Sequence, residues 1–158
     1  MRDDVTLSDL SRTGPASRPG YTATRARVET YFDKTATRTW ERLTSDAPVS
    51  KIRETVRQGR DQMRALMLSR LPEDLTGMRV LDAGCGPGVM TAELAARGAS
   101  VTGVDISPQL IGIAKRRLSP EHQERVSFLA GDMLSEHLGT FDAVLAMDSL
   151  IYYGPRDI

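Results

Sequence analysis

An acid and three glycines follow a short apolar run near the middle of the chain. Asp82 is followed at every second position by Gly84, Gly86 and Gly88, and residues 78–81 before it are mostly apolar. Apolar side chains then recur at helical spacing, so the stretch predicts a strand, a tight turn and a helix start. Glycine has no Cβ, so the backbone of this turn can approach a bound ligand closely. The arrangement is typical of a nucleotide-binding α/β unit.

The spacing of these glycines discriminates between two kinds of nucleotide. A dinucleotide-binding loop reads G-x-G-x-x-G/A, whereas the sixth position of this loop is Val89. Asp82 adds a carboxylate that would repel a pyrophosphate and attract the ammonium group of S-adenosylmethionine. The pattern D-x-G-x-G-x-G resembles motif I of the class I methyltransferases, and an NAD-dependent dehydrogenase is disfavoured.

Two further acids follow predicted strands. Asp105 comes directly after a predicted strand over residues 99–104, about 20 residues beyond the first glycine, where an acid meets both ribose hydroxyls. Asp132 follows a third predicted strand over residues 126–130. We expect Asp132 to accept a hydrogen bond from the adenine amino group and the neighbouring Met133 to pack on the ring.

A fourth acid, Asp148, follows a predicted strand over residues 141–147. Because the carboxyl ends of parallel strands meet at one sheet edge, the four acids are expected to face one ligand site. The sequence thus predicts an α/β, Rossmann-like class I methyltransferase sheet with strand order 3-2-1-4. The predicted cofactor-binding residues are Asp82, Gly84, Cys85, Gly86, Gly88, Asp105, Ile106, Asp132, Met133 and Asp148.

The composition restricts the remaining site chemistry. The 158 residues include 21 basic and 21 acidic side chains, a balance that indicates neither nucleic-acid binding nor a membrane partner. The single cysteine, Cys85, excludes an internal disulfide and indicates a reducing compartment. We interpret it as a small loop residue, because no histidine stands near it to activate a nucleophile. His122 and His137 lack metal-ligand spacing, so no protein-bound metal is expected.

Charge is unevenly distributed along the chain. Residues 21–71 contain 11 basic and 6 acidic side chains, whereas the rest of the chain from residue 72 contains 7 and 12. A basic cap over an acidic cofactor domain would suit an anionic substrate. The alternative is that most of these arginines lie on the solvated faces of two amphipathic helices.

Three segments are predicted. Residues 1–20 are polar and carry two Gly/Pro breaks, so they are expected to stay flexible. Residues 21–76 have helical spacing, with a break expected near Ala36, and form a helical cap. Residues 77–158 form the cofactor-binding core, and the apolar positions of the second cap helix are Ile52, Val56, Met63, Leu66, Met67 and Leu71.

Two expectations concern the ends of the chain and its location. No apolar run approaches the ~20 residues that span a bilayer, and no hydrophobic signal core begins the chain, so a cytoplasmic location is expected. A complete methyltransferase sheet would continue beyond the fourth strand, so the chain is expected to be a truncated product whose last strand lies at an unpaired edge.

Most aromatic side chains fall outside the predicted strands, in regions that should cover the ligand edge. For Phe32 and Trp40 the favoured interpretation is packing of the cap on the core. Tyr31 and Tyr152 are better candidates for substrate contact, because a phenol has a polar tip. They are the predicted catalytic residues.

Two segments carry a more specific resemblance. The first is Val28-x-x-Tyr31-Phe32-x-x-Thr35 with Trp40, together with the run Val49-Ser50-Lys51-Ile52-Arg53-x-Thr55-Val56-Arg57-x-Gly59-Arg60; the second is Leu150-Ile151-Tyr152-Tyr153. Together with the cofactor loop they resemble the magnesium-protoporphyrin IX O-methyltransferases of bacteriochlorophyll synthesis. Plant and cyanobacterial relatives have histidine where Tyr152 stands, which argues against an acid/base role at that position.

This resemblance implies a substrate and partners. S-adenosylmethionine would methylate a propionate of Mg-protoporphyrin IX, which the porphyrin-carrying subunit of magnesium chelatase would hand over, in the cytoplasm or at the periphery of photosynthetic membranes. Tyr31 and Tyr152 would hold the acceptor propionate, and cap arginines such as Arg38 would hold the other. The alternatives are another small-molecule methyltransferase, for instance one acting on a quinone precursor, and an inactive cofactor-binding module.

Overall fold

A computed structural model describes residues 19–33, 37–46 and 48–155. Most of the segment that was expected to be flexible, residues 1–18, lies outside these ranges, and so do Thr35 and Ala36 at the expected helix break.

Three helices precede the sheet in the described part of the chain, where the apolar spacing predicted two, the first with a break near Ala36. They are α1 (Pro19–Tyr31), α2 (Thr37–Leu43) and α3 (Lys51–Leu68). Ser50 caps α3, because its hydroxyl accepts a hydrogen bond from the backbone N–H of Arg53 and satisfies a free donor of the first turn.

The orientation of α3 differs from that of an ordinary amphipathic helix. Four of its apolar side chains are exposed, with Ile52 at 79% and Leu66 at 59% the most open. Arginines on another side of the helix are largely covered and line a cavity instead. We call the exposed row the α3 stripe; it consists of Ile52, Val56, Met63 and Leu66.

The core is a parallel sheet of four strands, β1 (Arg79–Ala83), β2 (Ser100–Asp105), β3 (Val126–Ala130) and β4 (Ala143–Leu145), in the order β3-β2-β1-β4. Two helices connect them, α4 (Val89–Ala96) and α5 (Pro108–Arg117). The predicted strand order is therefore confirmed. The fourth strand is shorter than the predicted 141–147, because only its central residues pair with β1.

Both faces of the sheet are covered. Val80 and Leu81 are neighbours on β1 and point to opposite faces, yet both are buried. Val80 belongs to an apolar cluster with Leu68 of α3 and Leu94 of α4. Leu81 belongs to a second cluster with Met133. Sheet packing on two sides fixes β1, and with it the position of the glycine loop. No helix in the described ranges combines the length and apolarity needed to cross a bilayer.

Candidate functional site

The strand order aligns the four acids along one edge of the sheet. Asp132 follows β3, Asp105 ends β2, Asp82 lies near the end of β1, and Asp148 follows β4. Because β1 pairs with both β2 and β4, Asp82 occupies the middle of the row and Asp148 one end. The predicted convergence of the acids at one sheet edge is observed.

The glycine loop turns sharply at the end of β1. The backbone N–H groups of Gly84 and Cys85 donate to the carbonyl oxygen of Val104 at 2.8 and 2.9 Å, which anchors the turn to β2. Gly84 has φ +78°, and a Cβ there would lie 2.3 Å from the Cβ of Ser149. Only glycine therefore allows the chain after β4 to approach β1 this closely.

A cavity of about 270 Å³ opens at this edge, between the sheet and the helices α2 and α3. Among the predicted cofactor-binding residues, those that line it are Asp82, Gly84, Cys85, Gly86, Asp105, Ile106, Met133 and Asp148. Gly88 and Asp132 are not among the lining residues. Gly88 begins α4 at φ +85°, and a Cβ there would meet Ala114 of α5 at 2.9 Å, which indicates a packing role.

Asp82 is the most deeply buried acid of the row, with 2% of its surface exposed. Its Oδ2 accepts a hydrogen bond of 2.6 Å from the hydroxyl of Thr91, in the first turn of α4. Burial raises the pKa of Asp82 to about 6, and the neighbouring Asp105 adds to the rise. A buried carboxylate that contacts a ligand cavity is suited to a cationic group, which would favour its ionised form.

Asp105 organises the loop as well as lining the cavity. Its two carboxylate oxygens accept hydrogen bonds of 2.9 Å from the backbone N–H groups of Gly86 and Ser107. Ser107 also caps α5 through Leu110 and donates its hydroxyl to Asp33. Burial raises the pKa of Asp105, and these backbone donors oppose the rise. Each oxygen keeps a second acceptor site for a ligand hydroxyl.

Asp132 accepts a hydrogen bond from a side chain of the N-terminal helix α1. The phenol of Tyr21 in α1 donates to its Oδ2, and the backbone N–H of Leu134 donates to Oδ1 at 2.9 Å. The ring of Tyr21 also stacks on that of Tyr153. Of the pair predicted to meet an adenine, only Met133 lines the cavity.

Asp148 forms the other end of the row. It is the only non-glycine residue of the described chain with a positive φ, at +57°. Its Oδ2 forms an ion pair with Nη1 of Arg60, at a distance of 2.5 Å. The guanidinium of Arg60 also lies 4.2 Å from the centre of the Trp40 ring. Burial lowers the pKa of Arg60, and Asp148 opposes that change. The N-terminal helices are thus tied to the end of β4 at the site.

The two predicted catalytic tyrosines meet through Phe32. The Phe32 ring is edge-on to both Tyr31 and Tyr152, with a centroid distance of 5.2 Å in each pair. Tyr152 lines the cavity, whereas Tyr31 is 48% exposed and lies outside it. Burial raises the pKa of Tyr152, and Tyr31 adds to the rise. Phe32 and Trp40 also line the cavity, so they do more than pack the cap on the core.

Cys85 is buried in the glycine loop, and burial raises the pKa of its thiol well above the ordinary value. A protonated thiol is a poor nucleophile, which agrees with its interpretation as a loop residue. Arg38 is exposed and does not line the cavity. Among the residues that the structure describes, the arginines that line the cavity are Arg57, Arg60 and Arg64.

Sequence reasoning missed three polar contacts of the site. Thr91 had a readable signal, because it lies in the first helical turn after the glycine loop. The arginines of α3 also recur at intervals of three and four residues, which places them on one side of a helix. Tyr21 had no such signal, since it lies 111 residues from its partner Asp132.

Comparisons with known proteins agree with this geometry. A family model described as a methyltransferase domain matches residues 80–158. Magnesium-protoporphyrin O-methyltransferase of Rhodobacter capsulatus is 66% identical over 139 residues, which cover 87% of this chain and 62% of the relative. The Synechocystis protein of the same name is 33% identical over 130 residues, covering 80% and 56%. The chain therefore spans about six-tenths of the length of these relatives.

A solved structure extends the comparison. The crystal structure of magnesium protoporphyrin IX methyltransferase from Synechocystis with bound SAM matches with a TM-score of 0.68 and 30% identity, covering 85% of this chain and 66% of that one. A ubiquinone biosynthesis O-methyltransferase of Aromatoleum aromaticum is 40% identical, but over only 48% of this chain.

The magnesium-protoporphyrin O-methyltransferases match a larger share of this chain than the ubiquinone biosynthesis O-methyltransferase does. The magnesium-protoporphyrin O-methyltransferase alignments are longer than the segment that matches the family model, so they include part of the N-terminal helices. The resemblance seen in those helices is confirmed. With its 3-2-1-4 sheet, glycine loop and acidic edge, this chain belongs to the methyltransferase-domain family.

Proposed function

We propose that this chain is the catalytic core of an S-adenosylmethionine-dependent O-methyltransferase that esterifies a propionate of Mg-protoporphyrin IX. The observation that carries the proposal is the buried carboxylate of Asp82 in a glycine-lined cavity, in a chain 66% identical to a magnesium-protoporphyrin O-methyltransferase. Because the chain spans 62% of that relative, the activity of the whole protein is part of the proposal.

The residues that follow β3, β2 and β1 would bind successive parts of S-adenosylmethionine, from the adenine to the amino-acid end. Met133 would pack on the adenine, and Asp105 would accept from the ribose hydroxyls. Asp82 would bind the ammonium group of the methionine end, where the turn at Gly86 leaves room for the chain of the ligand. Asp132 is engaged with Tyr21, so its proposed contact with the adenine amino group would use a remaining acceptor site.

The acceptor makes modest chemical demands on the protein. A propionate has an ordinary pKa near that of glutamic acid, about 4.3, so it is ionised at pH 7 and needs no general base. When bound, the donor would supply an electrophilic sulfonium methyl group: the carboxylate oxygen would bond to the methyl carbon as the methyl–sulfur bond breaks, and S-adenosylhomocysteine would leave with that electron pair. The protein has to hold the two groups in line and exclude water, and orientation of this kind is worth roughly 7–11 kcal/mol.

Tyr31 and Tyr152 are proposed to hold the acceptor propionate by donating hydrogen bonds. In Tyr31→Phe we expect turnover to fall about tenfold, because a hydrogen bond to a charged group is lost. Affinity for S-adenosylhomocysteine should stay unchanged, since Tyr31 lies outside the cavity. Steady-state kinetics with a parallel binding titration checks this. Unchanged turnover would remove Tyr31 from the mechanism.

The main alternative is a methyltransferase that acts on a phenol or another hydroxyl acceptor. The similarity of the core to a ubiquinone biosynthesis O-methyltransferase supports this alternative. A hydroxyl is neutral at pH 7 and needs a base, but the pKa of Tyr152 is raised, which disfavours it in that role. The second alternative is a module that binds the donor without catalysis. A methyl-transfer assay with Mg-protoporphyrin, metal-free protoporphyrin and a catechol acceptor separates the three.

We further propose that the protein works in the cytoplasm at a membrane periphery and receives its porphyrin from the porphyrin-carrying chelatase subunit. The α3 stripe supports a membrane contact, because it is apolar and exposed and Lys51 and Arg70 stand at its two ends. Co-sedimentation with vesicles rich in phosphatidylglycerol should fall several-fold in Ile52→Glu/Leu66→Glu. It should be unchanged in Gln58→Glu, on another side of α3. Equal sedimentation of all three proteins would refute the membrane contact.

A further inference from the structure

The hydroxyl of Thr91 is buried beside the acid in the middle of the row. Thr91 lies in the first turn of α4 and is fully buried. Its Oγ1 donates to Oδ2 of Asp82 at 2.6 Å, and no other side chain of the described residues donates a hydrogen bond to this carboxylate. Asp82 lines the cavity and Thr91 does not. Thr91 can therefore affect a bound ligand through Asp82, without touching the ligand itself.

The neighbouring strand leaves space for this hydroxyl. Gly103 of β2 pairs with Asp82 of β1, so the two residues lie side by side in the sheet. A Cβ at Gly103 would lie 3.0 Å from Oγ1 of Thr91 and 2.9 Å from the ring of Phe128. Because Gly103 has no side chain, the first turn of α4 can pack closely against the sheet beside Asp82. The contact between Thr91 and Asp82 thus depends on α4 and on β2 together.

The hydrogen bond has two effects on the carboxylate. It fixes Oδ2, while Oδ1 accepts from no side chain of the described residues and is left to accept from a ligand. It also favours the ionised form, because an O–H donor at this distance binds a carboxylate more strongly than a neutral acid. This effect opposes the burial that raises the pKa of Asp82. Orientation and charge of the acid are therefore both linked to one hydroxyl.

We propose that Thr91 is a positioning residue of the donor site, whose hydroxyl orients the Asp82 carboxylate and keeps it ionised for a ligand ammonium group. The proposal rests on the proposed function, which supplies that ammonium group at the amino-acid end of S-adenosylmethionine. Valine has nearly the shape of threonine but no hydroxyl. Thr91→Val would therefore leave Oδ2 buried without its donor, and the carboxylate would take up a proton more readily.

The pH dependence of this effect has a definite sign. The titratable groups that face Asp82 in the described chain are Asp105 at the end of β2 and the buried thiol of Cys85 in the glycine loop, and the variant changes neither. Loss of the hydroxyl raises the pKa of Asp82 further above its value of about 6. Since the ammonium group binds the ionised acid, affinity should fall most at low pH and recover as pH rises through the new pKa.

The test is a titration of wild type, Thr91→Val and Thr91→Ser with S-adenosylhomocysteine at pH 6 and at pH 8. Thr91→Val should lose about tenfold in affinity at pH 6 and less than about threefold at pH 8. Thr91→Ser keeps the hydroxyl and should restore most of the affinity. 5′-Methylthioadenosine lacks the amino-acid end, so its affinity should be the same in all three proteins. Thr102→Val in β2, outside the cavity, is the matched control.

A further variant keeps the test independent of folding. Thr91→Ala removes the same hydroxyl without placing a methyl group against the carboxylate, and it replaces Thr91→Val if that protein does not fold. The proposal is overturned if affinity is unchanged, or if the loss is equal at both pH values or extends equally to 5′-methylthioadenosine. It is also overturned if Thr91→Ser loses as much affinity as Thr91→Val. Failure of wild type to bind S-adenosylhomocysteine at either pH would instead refute the proposed function.

Discussion

Replacing Asp82 with Asn is expected to weaken binding of S-adenosylhomocysteine by at least about 30-fold. The carboxylate is buried and lines the cavity, so its charge acts on a ligand ammonium group with little screening by water. Loss of one member of a buried, hydrogen-bonded charge pair costs roughly 2–5 kcal/mol. Isothermal titration calorimetry at pH 7.5 measures the change.

The pH dependence of the same carboxylate gives an independent readout. The pKa of Asp82 in the folded chain is about 6, above its ordinary value of 3.8. Between these values the folded chain binds more protons than the unfolded chain, so the free energy of unfolding falls as pH rises through this window. The contribution of Asp82 amounts to about 3 kcal/mol. Asn does not titrate, and Asp82→Asn should remove this part of the slope in the ligand-free protein.

Binding should show the opposite dependence. An ammonium ligand favours the ionised carboxylate, so wild-type affinity should rise with pH up to about 6 and then level off. Asp74→Asn is the matched control, because Asp74 is exposed and accepts from the backbone of Thr76. Wild-type affinity in Asp82→Asn would show that Asp82 does not bind the ammonium group.

Gly84→Ala is expected to destabilise the fold by about 2–5 kcal/mol. The new Cβ would lie 2.3 Å from the Cβ of Ser149, and φ at this position is +78°. The conformation alone costs an alanine about 1–2 kcal/mol, and the overlap adds the cost of overpacking. Ser149 cannot move freely, because its hydroxyl donates to the carbonyl oxygen of Ala83 at 2.7 Å. Chemical denaturation gives the magnitude.

Two companion variants separate the causes. Ser149→Gly in the Gly84→Ala background removes the colliding atom and should recover part of the stability, leaving the cost of φ. Gly86→Ala should cost only about 1 kcal/mol of stability, since φ is +51° and its Cβ would meet no atom within 4 Å. Because Gly86 lines the cavity, we expect Gly86→Ala to lower the affinity for S-adenosylhomocysteine. A Gly84→Ala protein as stable as wild type would contradict the close approach of the two segments.

The sheet and most of its ligand edge could be predicted because each part has a local signal. A β-strand followed by an acid is read from neighbouring residues, and the parallel order then brings Asp82, Asp105 and Asp148 together. The cap of α5 has a local signal too, because serine followed by proline is typical of a helix start, and the hydroxyl of Ser107 accepts a hydrogen bond from the backbone N–H of Leu110.

The cap was less predictable, since periodicity tells which residues share a side of a helix but not which side packs. In α3 the arginine side faces the cavity and the apolar side is exposed. The partners that bind Arg60 on the cavity side, the Trp40 ring and the Asp148 carboxylate, belong to other segments, so the sequence of α3 alone does not show which side packs. The contact of Tyr21 with Asp132 likewise depends on how α1 crosses the sheet edge. Such contacts arise from tertiary packing and leave no local pattern.

The cavity at the ends of β1 and β2 is proposed to bind S-adenosylmethionine through the buried carboxylate of Asp82. The decisive measurement is a calorimetric titration of the 158-residue chain with S-adenosylmethionine and with NAD, each in wild type and in Asp82→Asn. We expect wild type to bind one S-adenosylmethionine per chain and little or no NAD, and we expect Asp82→Asn to lose S-adenosylmethionine binding. Uptake of NAD in preference to S-adenosylmethionine, or equal S-adenosylmethionine binding by both proteins, would contradict the proposal.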